Sequence, residues 1–280
     1  MENLLTDRNF WVKYWESKTD LSVVIPPNYL FHQQLKAIVD QEKVTTAIEL
    51  GGFPGYYAVF LKKYLKLDVT LLDYFVHVPI TAQLLATNNL ATNDIHIIET
   101  DLFTYEPAQK YDLVLSCGLI EHFNDTADII KRHISFLKPG GTLFITLPNF
   151  RALNGWFQKN FDKENYDKHN IDSMNPALLR SICEKAGLKE VRSGYFGHFS
   201  VWLEDESQKP AGVRLFKKAV WLTCKVLTKI IPFESKNLSP YIILEAKKPL
   251  SNFFIKSDFT QRNANRRFSN IDYHAVRGYW

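Results

Sequence analysis

The stretch Thr46-Ala47-Ile48-Glu49-Leu50-Gly51-Gly52-Phe53-Pro54-Gly55 decides the fold. Its first five residues suit a buried strand, two glycines break the strand, and a helical pattern follows at once. Glycine at such a turn allows positive φ and close backbone approach to a ligand, while the following helix offers unpaired amides. A nucleotide-like ligand fits there, and so does a phosphate.

Outward from this turn, short aliphatic runs alternate with helical patterns. Strands are predicted at residues 46–50, 68–73, 95–100, 111–117, 141–147, 188–196 and 241–247, and helices at 55–66, 79–90, 126–137 and 175–186. Asn124 and Asp125 can cap the third of these helices, Lys138-Pro139-Gly140-Gly141 reads as its stop and turn, and Gly187 closes the fourth. Strand-helix alternation with right-handed crossovers gives an α/β fold: a doubly wound, mostly parallel seven-stranded sheet, with its ligand crevice at the strands' carboxyl ends. Function is therefore expected just after the first four strands.

The domain plan has a helical cap at 1–45, with a helix at 28–41, a ligand-binding domain at 46–248 carrying an insertion at 205–237, and a tail at 249–280. Residues 150–174 read as a long aromatic and polar loop, of a length that often carries function. The 280 residues carry a net charge of +4. Basic residues concentrate in 209–237 and in the tail, leaving the remainder acidic. That distribution does not indicate a DNA binder, although the basic helix and tail keep RNA as a minor alternative. No span-length apolar run and no signal-peptide pattern is present, so a cytoplasmic location is expected. Cys117, Cys183 and Cys224 have no paired spacing, so neither a disulfide framework nor a metal site is expected.

Acidic residues distinguish a pyrophosphate from an adenosyl sulfonium. Asp73 ends the second strand, where a carboxylate can accept both ribose hydroxyls, and Asp101 follows the third, where it can meet an adenine amine. Glu49 at the turn would repel a pyrophosphate and attract a cationic amino-acid end. S-adenosylmethionine (SAM) is thus favoured over NAD, and a nicotinamide-dependent oxidoreductase is the weaker alternative.

Together ELGGFPG, LLD, TDLF, YDLVLSCGLIEHF and LKPGGTLFITLPN, in unbroken order over residues 46–150, resemble the class I SAM-dependent methyltransferases of small-molecule type. The resemblance implies SAM as cofactor. It places Glu49, Gly51 and Gly55 around the methionine part, Asp73 with Tyr74 at the ribose, and Asp101 with Leu102 at the adenine. Cys117, Gly118 and Leu119 would line the crevice beside the reactive methyl. One departure is that Phe53, followed by Pro54, replaces the middle glycine of the family's turn. That departure supports an alternative reading as a non-catalytic Rossmann-like module that uses a basic helix for partner or membrane contact.

Methyl transfer is an in-line displacement that mainly needs positioning and exclusion of water, with a base where the acceptor is a hydroxyl. His122 in GLIEHF is the first candidate and His169 in NYDKHNIDSM the second; His198 in FGHFSVW is a third that suits ordinary packing better. In the amino-terminal FWVKYWES, helical spacing groups Trp11 with Tyr14 or Trp15, and Tyr14 is the candidate contact to the methionine end. Within residues 214–231, Arg214, Lys217, Lys218, Lys225, Thr228 and Lys229 share one arc with Trp221, and the opposite arc is apolar. Such a helix fits the domain, a second subunit or a membrane interface equally. The expected partner is a small-molecule or lipid- or sugar-linked acceptor methylated at oxygen, with peripheral membrane contact the alternative role for the helix; the oligomeric state is open.

Overall fold

A computed structural model of the chain describes residues 3–230 and 234–250, with backbone alone at 227–230. Two helices, α1 (Arg8–Glu16) and α2 (His32–Glu42), precede the strand β1 (Thr46–Leu50). There follow α3 (Tyr56–Leu65), β2 (Asp68–Asp73), α4 (Val78–Thr87), β3 (Ile95–Glu99) and β4 (Tyr111–Cys117). A 3-10 turn at Ile120–His122 leads into α5 (Thr126–Ser135) and β5 (Leu137–Pro148). The chain continues through α6 (Ala152–Phe161), α7 (Lys163–Asp167), α8 (Pro176–Lys185), β6 (Lys189–Phe196), α9 (Ala211–Ile230) and β7 (Tyr241–Lys247).

The strands lie in the order β3-β2-β1-β4-β5-β7-β6, as the doubly wound sheet the alternation predicts. The first five are mutually parallel, and β7 inserts antiparallel between β5 and β6. Strand side chains alternate between two faces. Ala47, Leu113, Leu115 and Phe144 thus pack with α2, α3 and α4, while Ile48, Val114, Leu143 and Ile145 pack with α5 and α8. Both faces being covered explains why these strands read as continuous apolar runs. The order reverses between β1 and β4, which opens a crevice at their carboxyl ends.

Local chemistry sets the element ends. Asp125 caps α5 as its type predicts, its Oδ1 accepting the amides of Ala127 at 2.9 Å and Asp128 at 3.0 Å. Lys138-Pro139-Gly140-Gly141 is not the turn that its composition suggests but the opening of β5, which begins at Leu137. Tyr111 pairs with Leu137, the register then shifts, and Lys138 Nζ donates to Asp112 Oδ1 at 2.9 Å. Glycine eases the packing at 141, where a Cβ would lie 3.0 Å from the carbonyl oxygens of both Lys138 and Tyr111.

A second correction concerns residues 150–174. The expected loop holds α6, α7 and a 3-10 turn at Ile171–Ser173. Gly155, poor for a helix by propensity, sits in α6 because a Cβ would come within 2.1 Å of the Phe150 carbonyl oxygen.

On α9 the face that docks differs from the face the wheel selects. Phe216 lies 5.6 Å from Phe157 between ring centroids, and Val220, Trp221 and Cys224 pack on the cluster of Phe157, Phe199 and Val201. Trp221, assigned to the basic arc, therefore faces inward, with Lys225 Nζ 4.4 Å from its ring centroid. Leu215, Leu222 and Val226 face solvent. The reason is that α6 offers a narrow aromatic strip, Trp156, Phe157 and Phe161, which accepts Phe216 rather than the whole aliphatic arc. Among the described residues no helix is long and apolar enough to cross a membrane. Nearly all of the tail, residues 251–280, lies outside the described residues.

Candidate functional site

The ends of β1, β2 and β4 open into a cavity of about 510 Å³ beneath α1. Glu49, at the end of β1, is 2% exposed and turns back under the glycine turn, its Oε2 accepting the Ala58 amide at 2.7 Å. It thereby satisfies a first-turn amide of α3, whose N-cap Gly55 has no side chain to do so. This crowding dictates the glycines. A Cβ on Gly52 would sit 2.3 Å from Glu49 Cδ, and one on Gly51, at φ +63°, 2.5 Å from Leu119 Cδ1.

Asp73 gathers the turn from the other side. Phe53 N donates to its Oδ2 at 2.8 Å and Phe75 N to its Oδ1 at 3.0 Å. Burial raises its pKa to about 6, against the pull of those amides, so it is ionised at neutral pH. For Glu49 burial dominates, raising the pKa to about 8, with the Asp73 charge adding to it. Two acids whose charge is opposed by burial, facing one cavity, suit a cationic ligand. Asp101 holds the next turn through its Oδ1, which accepts the Phe103 amide at 2.8 Å. Cys117 ends β4 with its thiol pKa pushed up by burial, which makes it an inert wall rather than a nucleophile. Gly118, at φ +74°, donates to the Thr146 carbonyl at 2.9 Å.

The amino-terminal segment straps across the opening. Leu4 bridges to Phe123, Leu5 N donates to the His122 carbonyl at 2.9 Å, and Lys18 pairs with Glu204 and, at 3.1 Å, with Asp205. Between these anchors α1 lays aromatic rings on the cavity: Trp11 meets His122 at 4.9 Å and Trp15 meets Phe53 at 5.2 Å, centroid to centroid. Phe53, the departure at the turn, is thus buried between Trp15 and Phe75. Burial, and secondarily Glu204, raise the Tyr14 pKa, keeping its hydroxyl neutral.

Another wall is assembled from two distant segments. The Asn170 amide donates to the Glu121 carbonyl at 2.6 Å, and its Nδ2 to the carbonyls of Phe123 at 2.9 Å and Asn124 at 3.1 Å. This sets His169 against His122 with ring centroids 4.6 Å apart. His122 Nδ1 lies 3.1 Å from the Lys168 carbonyl and His169 Nδ1 2.7 Å from that of Asn165. Each Nδ1 therefore carries the proton and each Nε2 a lone pair, an assignment made from the hydrogen-bond network. Burial lowers their pKa values, to about 3 for His122 and about 4 for His169, so both rings are neutral at pH 7. Beside them Glu121 is 1% exposed, with a pKa raised by burial to about 8.

Of the residues singled out by sequence, Tyr14, Glu49, Gly51, Asp73, Tyr74, Asp101, Leu102, Cys117, Gly118, Leu119, His122 and His169 all line this cavity. Gly55 does not; at φ +110° it supplies the bend into α3. His198 lies beyond the end of β6, away from the cavity. Sequence reasoning missed Glu121, Trp202 and Glu204, which also line it. Glu121 was visible within GLIEHF, whereas nothing local marks the other two. It also missed His133, a buried structural histidine whose Nε2 meets Ser116 Oγ at 2.9 Å.

Residues 28–193 match the family model described as a methyltransferase domain. No curated protein sequence matches the chain. Among solved structures it is similar to phosphoethanolamine N-methyltransferase 2 of Haemonchus contortus in complex with phosphomonomethylethanolamine and S-adenosylhomocysteine, at 17% identity and a TM-score of 0.52. The same enzyme in complex with SAM matches at 18% and 0.50. In both, 78% of this chain covers 52% of the other, so the chain spans about half the length of these enzymes. A protein assigned as a sarcosine dimethylglycine methyltransferase from Galdieria sulphuraria matches at 14% identity and 0.51, over 86% of this chain and 97% of that one. At these identities the likeness is one of fold.

Proposed function

The chain belongs to the methyltransferase-domain family, whose members take their methyl group from SAM, and from that premise we propose that it methylates an oxygen of a small-molecule or lipid- or sugar-linked acceptor. The observation that carries this reading is the convergence of the β1, β2 and β4 ends with the His122–His169 wall on one cavity. SAM supplies an electrophilic methyl on a sulfonium, displaced in line by the acceptor.

The residues present fit such a donor. Asp73, with Tyr74 beside it, would accept the ribose hydroxyls with the acceptor capacity that its backbone amide partners leave. Asp101 and Leu102 would meet the adenine. Glu49, Gly51 and Tyr14 would surround the methionine end, and Cys117, Gly118 and Leu119 the methyl. The strap of α1 excludes water. His122 or His169 would orient an acceptor hydroxyl by accepting its hydrogen bond at Nε2. Their low proton affinity makes them positioning groups, with the proton passing on to solvent.

Outside the cavity, the solvent-facing Leu215, Leu222 and Val226 with neighbouring Arg214 and Lys218 support contact with an anionic lipid surface, where a lipid-linked acceptor would be found. The three free cysteines accord with a cytoplasmic protein.

Calorimetry with SAM and S-adenosylhomocysteine tests the donor half. Micromolar binding is expected, and Asp73→Ala should weaken it about 10- to 100-fold, the range for a lost charged hydrogen-bond acceptor. No binding at millimolar ligand would overturn the reading. The acceptor half is tested by incubating a cell extract with the protein and methyl-labelled SAM. Label in an O-methylated small molecule or glycolipid is expected, and label confined to RNA would overturn it.

A further inference from the structure

We propose that Glu121, His122 and His169 bind a divalent transition-metal ion of the zinc class on the wall of the cavity. One ligand atom from each of the three lies within 4.8 Å of the other two. With bonds of about 2.0 to 2.2 Å, a four-coordinate ion holds its donors about 3.3 Å apart. Side-chain rotation over an ångström or so closes that gap.

The surroundings are those a metal-binding histidine pair uses. Each ring gives its Nδ1 proton to a backbone carbonyl, of Lys168 for His122 and of Asn165 for His169, which fixes the tautomer and leaves Nε2 to ligate. Glu121 supplies the independent observation: its Oε2 is buried and has no hydrogen-bond partner. A buried carboxylate oxygen left alone is costly, and a cation at this point removes the cost. Asn170 holds the three together before any ion arrives, through its backbone amide to Glu121 and its side-chain amide to Phe123 and Asn124.

The positive charge felt at both rings is that of Lys168, and it is partly neutralised. Lys168 is the adjoining cation, and its Nζ is engaged elsewhere, 2.9 Å from Glu164 Oε1 and 4.7 Å from the Phe10 ring centroid. Two imidazoles and one carboxylate suit Zn²⁺, Co²⁺ or Fe²⁺ and not Mg²⁺ or Ca²⁺, which prefer oxygen donors. The cysteine and histidine spacing gave no warning, because Glu121 and His122 are adjacent and His169 comes from a segment 47 positions away.

Three protein ligands leave one coordination position, and the site lines the cavity. An acceptor oxygen bound there would have its proton acidified by the ion. This role rests on the methyl-transfer reading; the metal site itself does not. With the ion in place His122 and His169 ligate, and the ion in their stead polarises the acceptor.

The full chain, freed of metal by chelation and of any affinity tag, is dialysed against Zn²⁺ and separately loaded with Co²⁺. One tightly held Zn²⁺ per chain and visible Co²⁺ absorption of nitrogen-ligated type are expected. His169→Ala and Glu121→Gln should each weaken uptake on the order of 10- to 100-fold or more. His96→Ala, on the exposed side of β3, should leave it unchanged. Circular dichroism of each variant separates loss of ligand from loss of fold. Substoichiometric uptake, or equal uptake by the wild type and a folded His169→Ala variant, overturns the site. S-adenosylhomocysteine binding without metal uptake would overturn this inference and leave the methyl-transfer reading standing, whereas metal uptake without that binding would do the reverse.

Discussion

The donor side of the cavity and the acceptor side are built by different means. Around the glycine turn, short stretches of chain hold themselves: Glu49 reaches nine residues ahead to Ala58 and Asp73 two ahead to Phe75. The acceptor side comes from contacts between distant segments, such as Asn170 with Glu121 and Lys18 with Glu204. A pattern read along the chain therefore reports the first directly and the second hardly at all. It also follows that the donor side is intolerant of added volume, whereas the acceptor side tolerates exchange as long as its anchors hold.

The sharpest way to break the donor side is Gly51→Val. A side chain there must displace Leu119 and occupy a left-handed backbone conformation at once. Cofactor affinity should fall more than about 100-fold with a loss of about 2 kcal/mol or more in stability, measured by calorimetry and by urea unfolding. Trp11→Ala probes the acceptor side. It removes the ring against His122 and loosens α1, so acceptor KM should rise about 10-fold, with calorimetric SAM affinity changing less than about threefold. Equal losses in both would show that the two sides are not separable.

A pH series sharpens the contrast further. The buried histidines, His122, His133 and His169, have depressed pKa values, so their protonation destabilises the fold in acid, and the effect is complete by about pH 7.5, a unit above the unfolded value. Glu49 and Glu121 have folded pKa values raised to about 8, so their contribution is full below the unfolded value near 4.5 and is lost as pH rises through about 8. Between about pH 7.5 and 8.5 the two glutamates dominate. Tm of the ligand-free protein should fall over that interval, and the increase in Tm given by SAM should grow, since ionised Glu49 attracts the cation. Glu49→Gln should flatten its share of both slopes.

The smallest effect is expected outside both sides. Leu222→Glu on the exposed stripe of α9 should change stability by less than about 0.5 kcal/mol and abolish flotation with anionic liposomes. Unchanged flotation would remove lipid contact from the proposal.

Strands β1, β2, β4 and β7 were legible to the residue because each carries a short aliphatic or β-branched stretch set off from the helical patterns beside it. The misreadings share one cause. Gly155 in α6 and Gly140-Gly141 in β5 look like breakers, yet backbone crowding favours glycine at both places, from the Phe150 carbonyl five residues back at 155 and from the neighbouring strand β4 at 141. Trp221 could not be assigned to a face before the aromatic strip of α6 was known. In the site, Glu49, Asp73 and Asp101 could be located because strand ends fix them. The special place of Glu121 depends on His169, which arrives 48 positions later, and the anchoring of Lys18 depends on Glu204, 186 positions away.

That last anchor bears on time rather than geometry. A segment tied to Phe123 at one end and to Glu204 and Asp205 at the other lies across the opening through which a spent nucleoside would leave. Ion pairs at a partly exposed end yield more readily than a backbone bridge, so the Lys18 end is the hinge's loose side. Raised ionic strength would therefore loosen the Lys18 end before the Leu4 end.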